Sequence, residues 1–172
     1  MNKQVFGWIE LVFDAIYLSL ALLIGLRLIS GAGEMAQRIA AAMALVLVAG
    51  DAFHLVPRML AVATGRQAPF ERMMGVGKFI TSLTMTVFYL LLLETGVRLT
   101  TTPPQNLYLA IGYALAAIRI ALCLFPQNRW LDNKPAVRWG IWRNVPFLLL
   151  GLVVAVFYFR HAATVMHLQW VW

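Results

Sequence analysis

Five long runs of apolar residues, separated by short polar segments, dominate the 172-residue chain. Each run has about the 20 residues that an α-helix needs to cross the hydrocarbon core of a bilayer. The runs are too continuous and too long for the alternating strands of a membrane barrel. The pattern therefore predicts an all-α polytopic membrane protein, a bundle of five transmembrane helices at about 6–29, 37–62, 75–97, 106–125 and 143–164.

The composition agrees with a chain that is solvated by lipid. Hydrophobic residues make up 62% of the sequence and charged residues only 12%, and that charged share is about half of the share in typical soluble domains. No hydrophilic block is long enough for a second domain, and the N-terminus shows no cleavage site of a signal peptide. We therefore expect residues 1–172 to form one transmembrane domain.

The basic residues indicate how the helices are oriented. The formal net charge is +7, but Lys and Arg fall in loops and at helix ends, which favours a membrane over a nucleic acid as the partner. With the N-terminus in the cytoplasm, ten of the 14 basic residues lie on the cytoplasmic side and four on the other. This asymmetry predicts an N-in, C-out, multi-pass protein of the cell (plasma or inner) membrane.

Polar side chains gather in the inner halves of all five predicted helices. Glu10 and Asp14 share one helical face, and Asp51, His54 and Arg58 share another. Charged groups at this depth usually point into the bundle or a wet cavity, because contact with lipid is costly. We therefore expect a cavity that opens to the cytoplasm and is lined by all five helices, with further polar groups from Lys78, Ser82, Arg119, Arg143 and Asn144.

These residue types suggest acid–base chemistry on an anionic substrate. The candidate catalytic residues are Asp51, which would orient His54 as the base or acid, and a second acidic pair, Asp14 and Glu10. The candidate substrate-binding residues would hold a head group such as a phosphate, and they are Arg58, Lys78, Ser82, Arg119, Arg143 and Asn144.

Structural interpretations of the same residues stay open at this point. Arg119 and Arg143 could simply pair with the acidic residues of the first helix. Asp51 and His54 could form a structural hydrogen bond, and Ser82 could bond to its own backbone.

Pro57 is a further feature of the second helix. It would free the carbonyl group of Phe53, because proline has no N–H to donate. A kink or unwound turn there would open the mouth of the cavity. Alternatively, Pro57 merely sits near the end of the helix.

The sequence offers little for a metal ion or a cofactor. The single cysteine, Cys123, excludes an internal disulfide and a thiol redox pair. His54 would lie at the opposite membrane surface from His161 and His167, which disfavours a three-histidine zinc site. We therefore predict neither a metal nor a cofactor.

Four segments, GDAFHLVPR, GVGKFITSLTMTVFYLLL, RIALCLFPQNRW and RNVPF, together resemble an uncharacterised family of small bacterial multi-span membrane proteins. That resemblance implies no activity. Through Gly50 and Asp51, the chain also resembles, more faintly, the lysoplasmalogenase (YhhN-like) membrane hydrolases, which carry Gly-Asp pairs in membrane helices. This second resemblance implies hydrolysis of a lipid.

These observations favour a lipid-acting enzyme, a hydrolase or isomerase, that works at the inner leaflet. Its expected partners are membrane lipids and a small amphipathic or anionic ligand, and a homodimer would be compatible with the odd number of spans. One alternative is a transporter or binding protein for a small anionic solute, with carboxylates that carry protons. The other is a structural or accessory subunit, for which the segment RIAAAMALVLVAG would provide a small-residue face for helix association.

Overall fold

The structure, a computed structural model, describes residues 3–31, 33–100, 105–132 and 137–166. Within these ranges every regular element is helical. The α-helices are α1 (Lys3–Gly31), α2 (Met35–Thr64), α3 (Glu71–Leu99), α4 (Gln105–Leu124), α5 (Val137–Arg160) and the short α6 (Ala162–Met166). Single 3-10 turns precede α3 and follow α4, at Ala68–Phe70 and Pro126–Asn128.

The helices α1 to α5 are each long and apolar enough to cross a membrane, which confirms the predicted number of such spans. The largest difference from the predicted bounds is in α5, which begins at Val137 instead of residue 143 and ends at Arg160. Arg143 and Asn144 therefore lie inside α5, almost two turns after its first residue.

Local chemistry explains where α2 begins and ends. The Gln37 side chain accepts hydrogen bonds from the N–H groups of Gly33 (3.0 Å) and Glu34 (3.4 Å), which would otherwise lack partners at a helix start. At the other end, Gly65 adopts a φ of 65° and its N–H bonds to the Val62 carbonyl at 3.3 Å. A left-handed residue ends a helix, and glycine adopts that conformation without strain.

The helices α2 and α3 pack along much of their length, and glycines permit the close approach. A β-carbon at Gly50 would come 2.6 Å from Cβ of Thr84, and one at Gly77 would come 2.7 Å from Cα of His54. Thr81 donates a 3.0 Å hydrogen bond across the interface to the Gly50 carbonyl. Because small residues let membrane helices meet backbone to backbone, α2 and α3 form one closely joined pair.

Pro57 does not interrupt α2. The helix continues for seven residues beyond it, to Thr64, and Pro57 itself is buried. The carbonyl of Phe53 has no donor at position 57, and it faces Gly77 of α3 instead. The proline therefore removes the usual helical donor from a carbonyl at the α2–α3 interface, and the absence of a side chain at Gly77 makes room for that carbonyl.

The alanine-rich start of α2 packs against other helices of the same chain. Ala36, Ala40 and Ala41 are buried, and a β-carbon at Gly25 of α1 would come 3.1 Å from Cγ of Leu45. These three alanines therefore pack inside the chain and are not part of an exposed face for association with another subunit.

α3 lies between two groups of helices, α1 with α2 on one side and α4 with α5 on the other. α1 packs mainly against α2, whereas α4 and α5 pack against α3 and against each other. A small core at the far end of α3 holds this second group together and comprises Leu93, Val97, Val154 and Phe157. The edge helix α1 exposes large apolar side chains such as Phe13, which is 68% exposed, as expected for a face that contacts lipid.

Candidate functional site

Two side-chain contacts join α1 to α2. Arg58 forms an ion pair and a hydrogen bond with Glu10. About two turns away along α1, Tyr17 donates a 2.8 Å hydrogen bond to Oδ2 of Asp51. We call the polar residues around these contacts the α1–α2 cluster: Glu10, Asp14, Tyr17, Asp51, His54 and Arg58.

Asp14 and His54 are the two members of the α1–α2 cluster whose side chains form no hydrogen bond between α1 and α2, and the His54 ring instead bonds to the backbone of Met74 in α3. Asp14 is 8% exposed, and none of the described residues donates a hydrogen bond to its carboxyl group. The charges of Arg58, Glu10 and His54 all act on this carboxyl group. Nδ1 of His54 is also buried and without a partner among the described residues. Two neighbouring ionisable groups thus remain able to give or accept protons.

The pair suggested by the sequence, Asp51 with His54, has no hydrogen bond between its side chains among the described contacts. Asp51 accepts its hydrogen bond from Tyr17 of the neighbouring helix, although its charge still acts on His54. The Asp51 carboxylate therefore takes part in the contact between α1 and α2.

Residues of α3 extend the α1–α2 cluster on one side. Lys78 is exposed, and its positive charge acts on His54. Ser82 donates a 2.8 Å hydrogen bond to the Lys78 carbonyl one turn earlier, as the structural interpretation of this serine expected. Lys78 can therefore contact an anionic ligand, whereas the Ser82 hydroxyl is engaged with its own helix.

Beyond α3, Arg143 of α5 anchors the segment that follows α4. Its Nη1 donates a 2.9 Å hydrogen bond to Oδ1 of Asn128, and its guanidinium lies 4.1 Å from the ring centroid of Trp130. Nδ2 of Asn128 donates to the carbonyls of Leu122 (2.7 Å) and Phe125 (2.8 Å). Carbonyls at a helix C-terminus have no partner within the helix, so this loop closes the end of α4.

Arg119 lies one turn before the end of α4 that this loop closes. It is only 4% exposed, and its guanidinium carbon lies 3.5 Å from the ring centroid of Phe147 in α5. Its Nε and Nη1 atoms are buried and have no hydrogen-bond partner among the described residues. We call these neighbouring residues the α4–α5 cluster: Arg119, Cys123, Asn128, Trp130, Arg143 and Phe147.

The structure therefore divides the predicted site residues between two clusters on opposite sides of α3. Glu10, Asp14, Asp51, His54 and Arg58 come together between α1 and α2, with Lys78 beside them. Arg119 and Arg143 belong to the α4–α5 cluster, and α1 does not pack against α4 or α5. The interpretation that these two arginines pair with the acidic residues of α1 is thus wrong, because Arg58 pairs with Glu10 and no carboxylate of α1 reaches them.

Two apolar grooves border the clusters. The first has a volume of about 580 Å³ between α2 and α3, and its lining includes Phe53, Val56, Met73, Val76 and Arg72. The second, which we call the α5 groove, has about 800 Å³ and is lined by α5 residues between 137 and 155 and by one residue of α3. Its polar and aromatic lining residues are Tyr89, Asn144 and Phe147.

The sequence interpretation missed three residues that build the clusters. Tyr17 follows Glu10 and Asp14 at i+7 and i+3, so the helical spacing of the acidic pair could have included it. Asn128 is the last residue of the Pro-containing turn after α4, and Trp130 follows that turn. No periodic pattern relates loop residues to the helix end that they close.

Within the described residues, no group of three His, Cys, Asp or Glu side chains could hold a metal ion. His161 places Nδ1 2.8 Å from the Phe157 carbonyl and stacks on the Phe157 ring. The second histidine of this region, His167, lies outside the described residues.

Comparison of the chain with protein-family models, with curated proteins and with solved structures found no match. Its function must therefore be inferred from the two clusters.

Proposed function

We propose that the protein is an enzyme of the cell (inner) membrane, oriented N-in and C-out, that acts on a lipid or amphipathic substrate at the inner leaflet. Asp14 and His54 would transfer protons in this reaction. One observation supports the proposal: Asp14 is a buried residue whose carboxyl group receives no hydrogen bond from the described residues, and its charge interacts with that of His54, whose Nδ1 is also unpartnered. Ionisable groups that are kept in a membrane span at such a cost are typically functional.

The contacts of the other cluster residues assign them supporting roles. Glu10 is neutralised by Arg58, and Asp51 is held by Tyr17, so neither is as free to exchange protons as Asp14. A hydrolase needs a base that activates water, and an isomerase needs groups that remove and return a proton. The Asp14–His54 pair would serve either reaction, with the exposed Lys78 available for an anionic head group.

Two features support a lipid as the substrate. The α1–α2 cluster lies within two of the candidate membrane spans, and α1 has no extensive contact with α4 or α5, so a lipid could approach from the side. The groove between α2 and α3 is almost wholly apolar and has Arg72 among its lining residues. An acyl chain with a negatively charged head group matches this combination of surfaces.

Lipid analysis of the purified protein tests this proposal. Wild type, Asp14→Asn, His54→Gln and the control Glu71→Gln, which changes an exposed carboxylate in the first turn of α3, would be placed in vesicles of phosphatidylethanolamine and phosphatidylglycerol. Mass spectrometry would follow the lipids over time. We expect a lipid to be converted by wild type and Glu71→Gln only. Identical lipid profiles for all four proteins would contradict the enzyme proposal.

A transporter for a small anionic solute is the second candidate, because a separate polar set lies near the other end of α3. Tyr113 of α4 donates a 2.8 Å hydrogen bond to Oε1 of Glu94, and Arg98 lies 3.3 Å from Oε2 of the same side chain. Polar groups near both ends are a feature that transport would use. Proton-driven uptake of inorganic phosphate into vesicles, lost in Asp14→Asn without any lipid conversion by wild type, would favour this alternative.

A further inference from the structure

Arg119 is a buried cation without a partner of opposite charge. It is more than nine-tenths buried, and its guanidinium rests on the Phe147 ring. The cation–π contact stabilises the charge, and the Cys123 thiol one turn further along α4 also interacts with the guanidinium. Neither provides acceptors for Nε and Nη1, which lack them among the described residues. A buried group of this kind usually has a hydrogen-bonded acceptor, so an acceptor from outside the chain is expected.

The side-chain carboxylates of the protein are all engaged or placed elsewhere. The chain has seven Asp and Glu residues, and all seven lie within the described ranges. Three of them pair with other arginines: Glu10 with Arg58, Glu94 with Arg98, and Asp132 with Arg129. The other four lie in α1, in α2, at the start of α2 and at the start of α3, and they are Asp14, Asp51, Glu34 and Glu71. No Asp or Glu side chain is therefore available to neutralise Arg119.

Arg143 adds a second positive charge to the same cluster. Its charge acts on Arg119, while its contacts to Asn128 and the Trp130 ring are with neutral groups. Two neighbouring cations in a partly dry environment repel each other. An oxyanion between them would relieve this repulsion, and the planar N–H pattern of arginine matches the oxygens of a phosphate group.

The surroundings of the cluster fit the phosphate of a lipid. Arg119 lies five residues before the last residue of α4, Leu124, which is about 7.5 Å along the helix axis and close to the membrane surface. Phe147, the ring under Arg119, also lines the α5 groove. The lining residues of that groove extend from Val137 to Ala155, a length of about 27 Å. From the level of Arg143 to Ala155 the groove is about 18 Å long, which is enough for an acyl chain that crosses one leaflet, about half of the ~30 Å hydrocarbon core.

We propose that Arg119 and Arg143 bind the phosphate group of a phospholipid whose acyl chain lies in the α5 groove. This site goes beyond the proposed enzymatic function, because it lies across α3 from the α1–α2 cluster and requires no reaction. It would hold a resident lipid against α4 and α5.

The binding experiment uses the full-length protein in detergent and compares three additives. Dioleoyl phosphatidylglycerol has both phosphate and chains, dioleoylglycerol has the chains alone, and inorganic phosphate has the anion alone. Native mass spectrometry and thermal unfolding would be measured for wild type, Arg119→Gln and the control Arg138→Gln, which changes an exposed arginine of α5. We expect only the phospholipid to stabilise wild type and Arg138→Gln. Arg119→Gln should bind it at least tenfold more weakly.

Three results would overturn the proposal. Equal phospholipid binding by Arg119→Gln and Arg138→Gln would exclude the arginine site. Equal stabilisation by dioleoylglycerol would show that the phosphate is not recognised. Equal stabilisation by inorganic phosphate would show that the site takes the free anion, not the lipid.

Further variants separate binding from folding and from the proposed reaction. Gly151 lines the α5 groove, and a β-carbon there would meet only Tyr89 at an ordinary 3.6 Å, so Gly151→Leu should fill the groove and weaken lipid binding with both arginines intact.

Lipid-free Arg119→Met should unfold at or above the temperature of lipid-free wild type, because it removes an unpaired buried charge. A large loss of stability in that variant would mean that Arg119 is structural. Asp14→Asn should keep full phospholipid binding.

Discussion

Gly77 of α3 lies directly against the backbone of α2, where a β-carbon would come within 2.7 Å of Cα of His54. The same position faces the Phe53 carbonyl, which Pro57 deprives of its usual helical donor. Pro57 in α2 and Gly77 in α3 thus act on the same contact between the two helices. This contact sets the distance between the helix that carries His54 and the helix that carries Lys78.

Gly77→Ala should therefore destabilise the protein. The added methyl group would clash with backbone atoms, which cannot rotate away as a side chain can, and overpacking of this kind costs about 1–3 kcal/mol. Gly140→Ala is the matched control, because nothing lies within 4 Å of a β-carbon at that helical position. Thermal unfolding in detergent should show a lower midpoint for Gly77→Ala alone. Equal midpoints would mean that α2 and α3 are not packed as closely as described.

The hydrogen bond from Tyr17 to Asp51 should contribute measurably to stability. Removal of the hydroxyl in Tyr17→Phe should cost between about 0.6 kcal/mol, the average for hydrogen bonds between membrane helices, and about 3 kcal/mol, the penalty for a buried group left without its partner. Tyr108→Phe is a suitable control, since the Tyr108 ring packs edge-on against Phe157 and its hydroxyl makes no hydrogen bond to the described residues.

A double-mutant cycle identifies the partner of Tyr17. Tyr17→Phe and Asp51→Asn should be less than additive in the free energy of unfolding, because each removes part of the same contact. Strict additivity would show that the two side chains do not interact in the folded protein.

The sequence alone could predict the helices and the acidic half of the site, but not the partners of the charged groups. Apolar run length identified the five spans, and i, i+4 spacing brought Glu10 and Asp14 onto one face. Helical spacing, however, shows only on which face of its own helix a side chain lies. It does not show which other helix packs against that face. Arg119 could therefore be assigned to an acidic partner, although the structure places it on the Phe147 ring.

The observed start of α5, Val137, differs from the predicted start at residue 143 for a related reason. Its first six residues include Arg138, Trp139 and Trp142, which break the apolar run but are compatible with a helix at a membrane surface. Such side chains lay their apolar parts along the helix and turn their polar ends towards water. A hydropathy pattern identifies only the part of a helix that spans the hydrocarbon core, so it misses helical residues at the membrane surface.

Asn128 should stabilise the end of α4. Its side-chain amide donates to the carbonyls of Leu122 and Phe125, and its Oδ1 accepts from Arg143. Asn128→Asp keeps the size and the acceptor but replaces the donating amide, so we expect a loss of about 1–3 kcal/mol from carbonyls left without partners. Gln127→Glu makes the same chemical change at an exposed neighbour. A similar unfolding midpoint for both variants would show that the Asn128 amide does not close the helix.

Cysteine labelling should test the proposed N-in orientation, which places the polar α1–α2 cluster near the cytoplasmic surface. The natural Cys123 is 1% exposed, so a membrane-impermeant maleimide should not label the wild-type protein. Gly33→Cys and Gln67→Cys introduce thiols at exposed positions in the segments on either side of α2. If α2 crosses the membrane and the N-terminus is cytoplasmic, the reagent should label Gly33→Cys in intact spheroplasts and Gln67→Cys only after lysis. The reverse pattern would contradict the N-in orientation, because the side of the protein with more Lys and Arg would then face away from the cytoplasm. Labelling of both variants in intact spheroplasts would show that α2 does not cross the membrane.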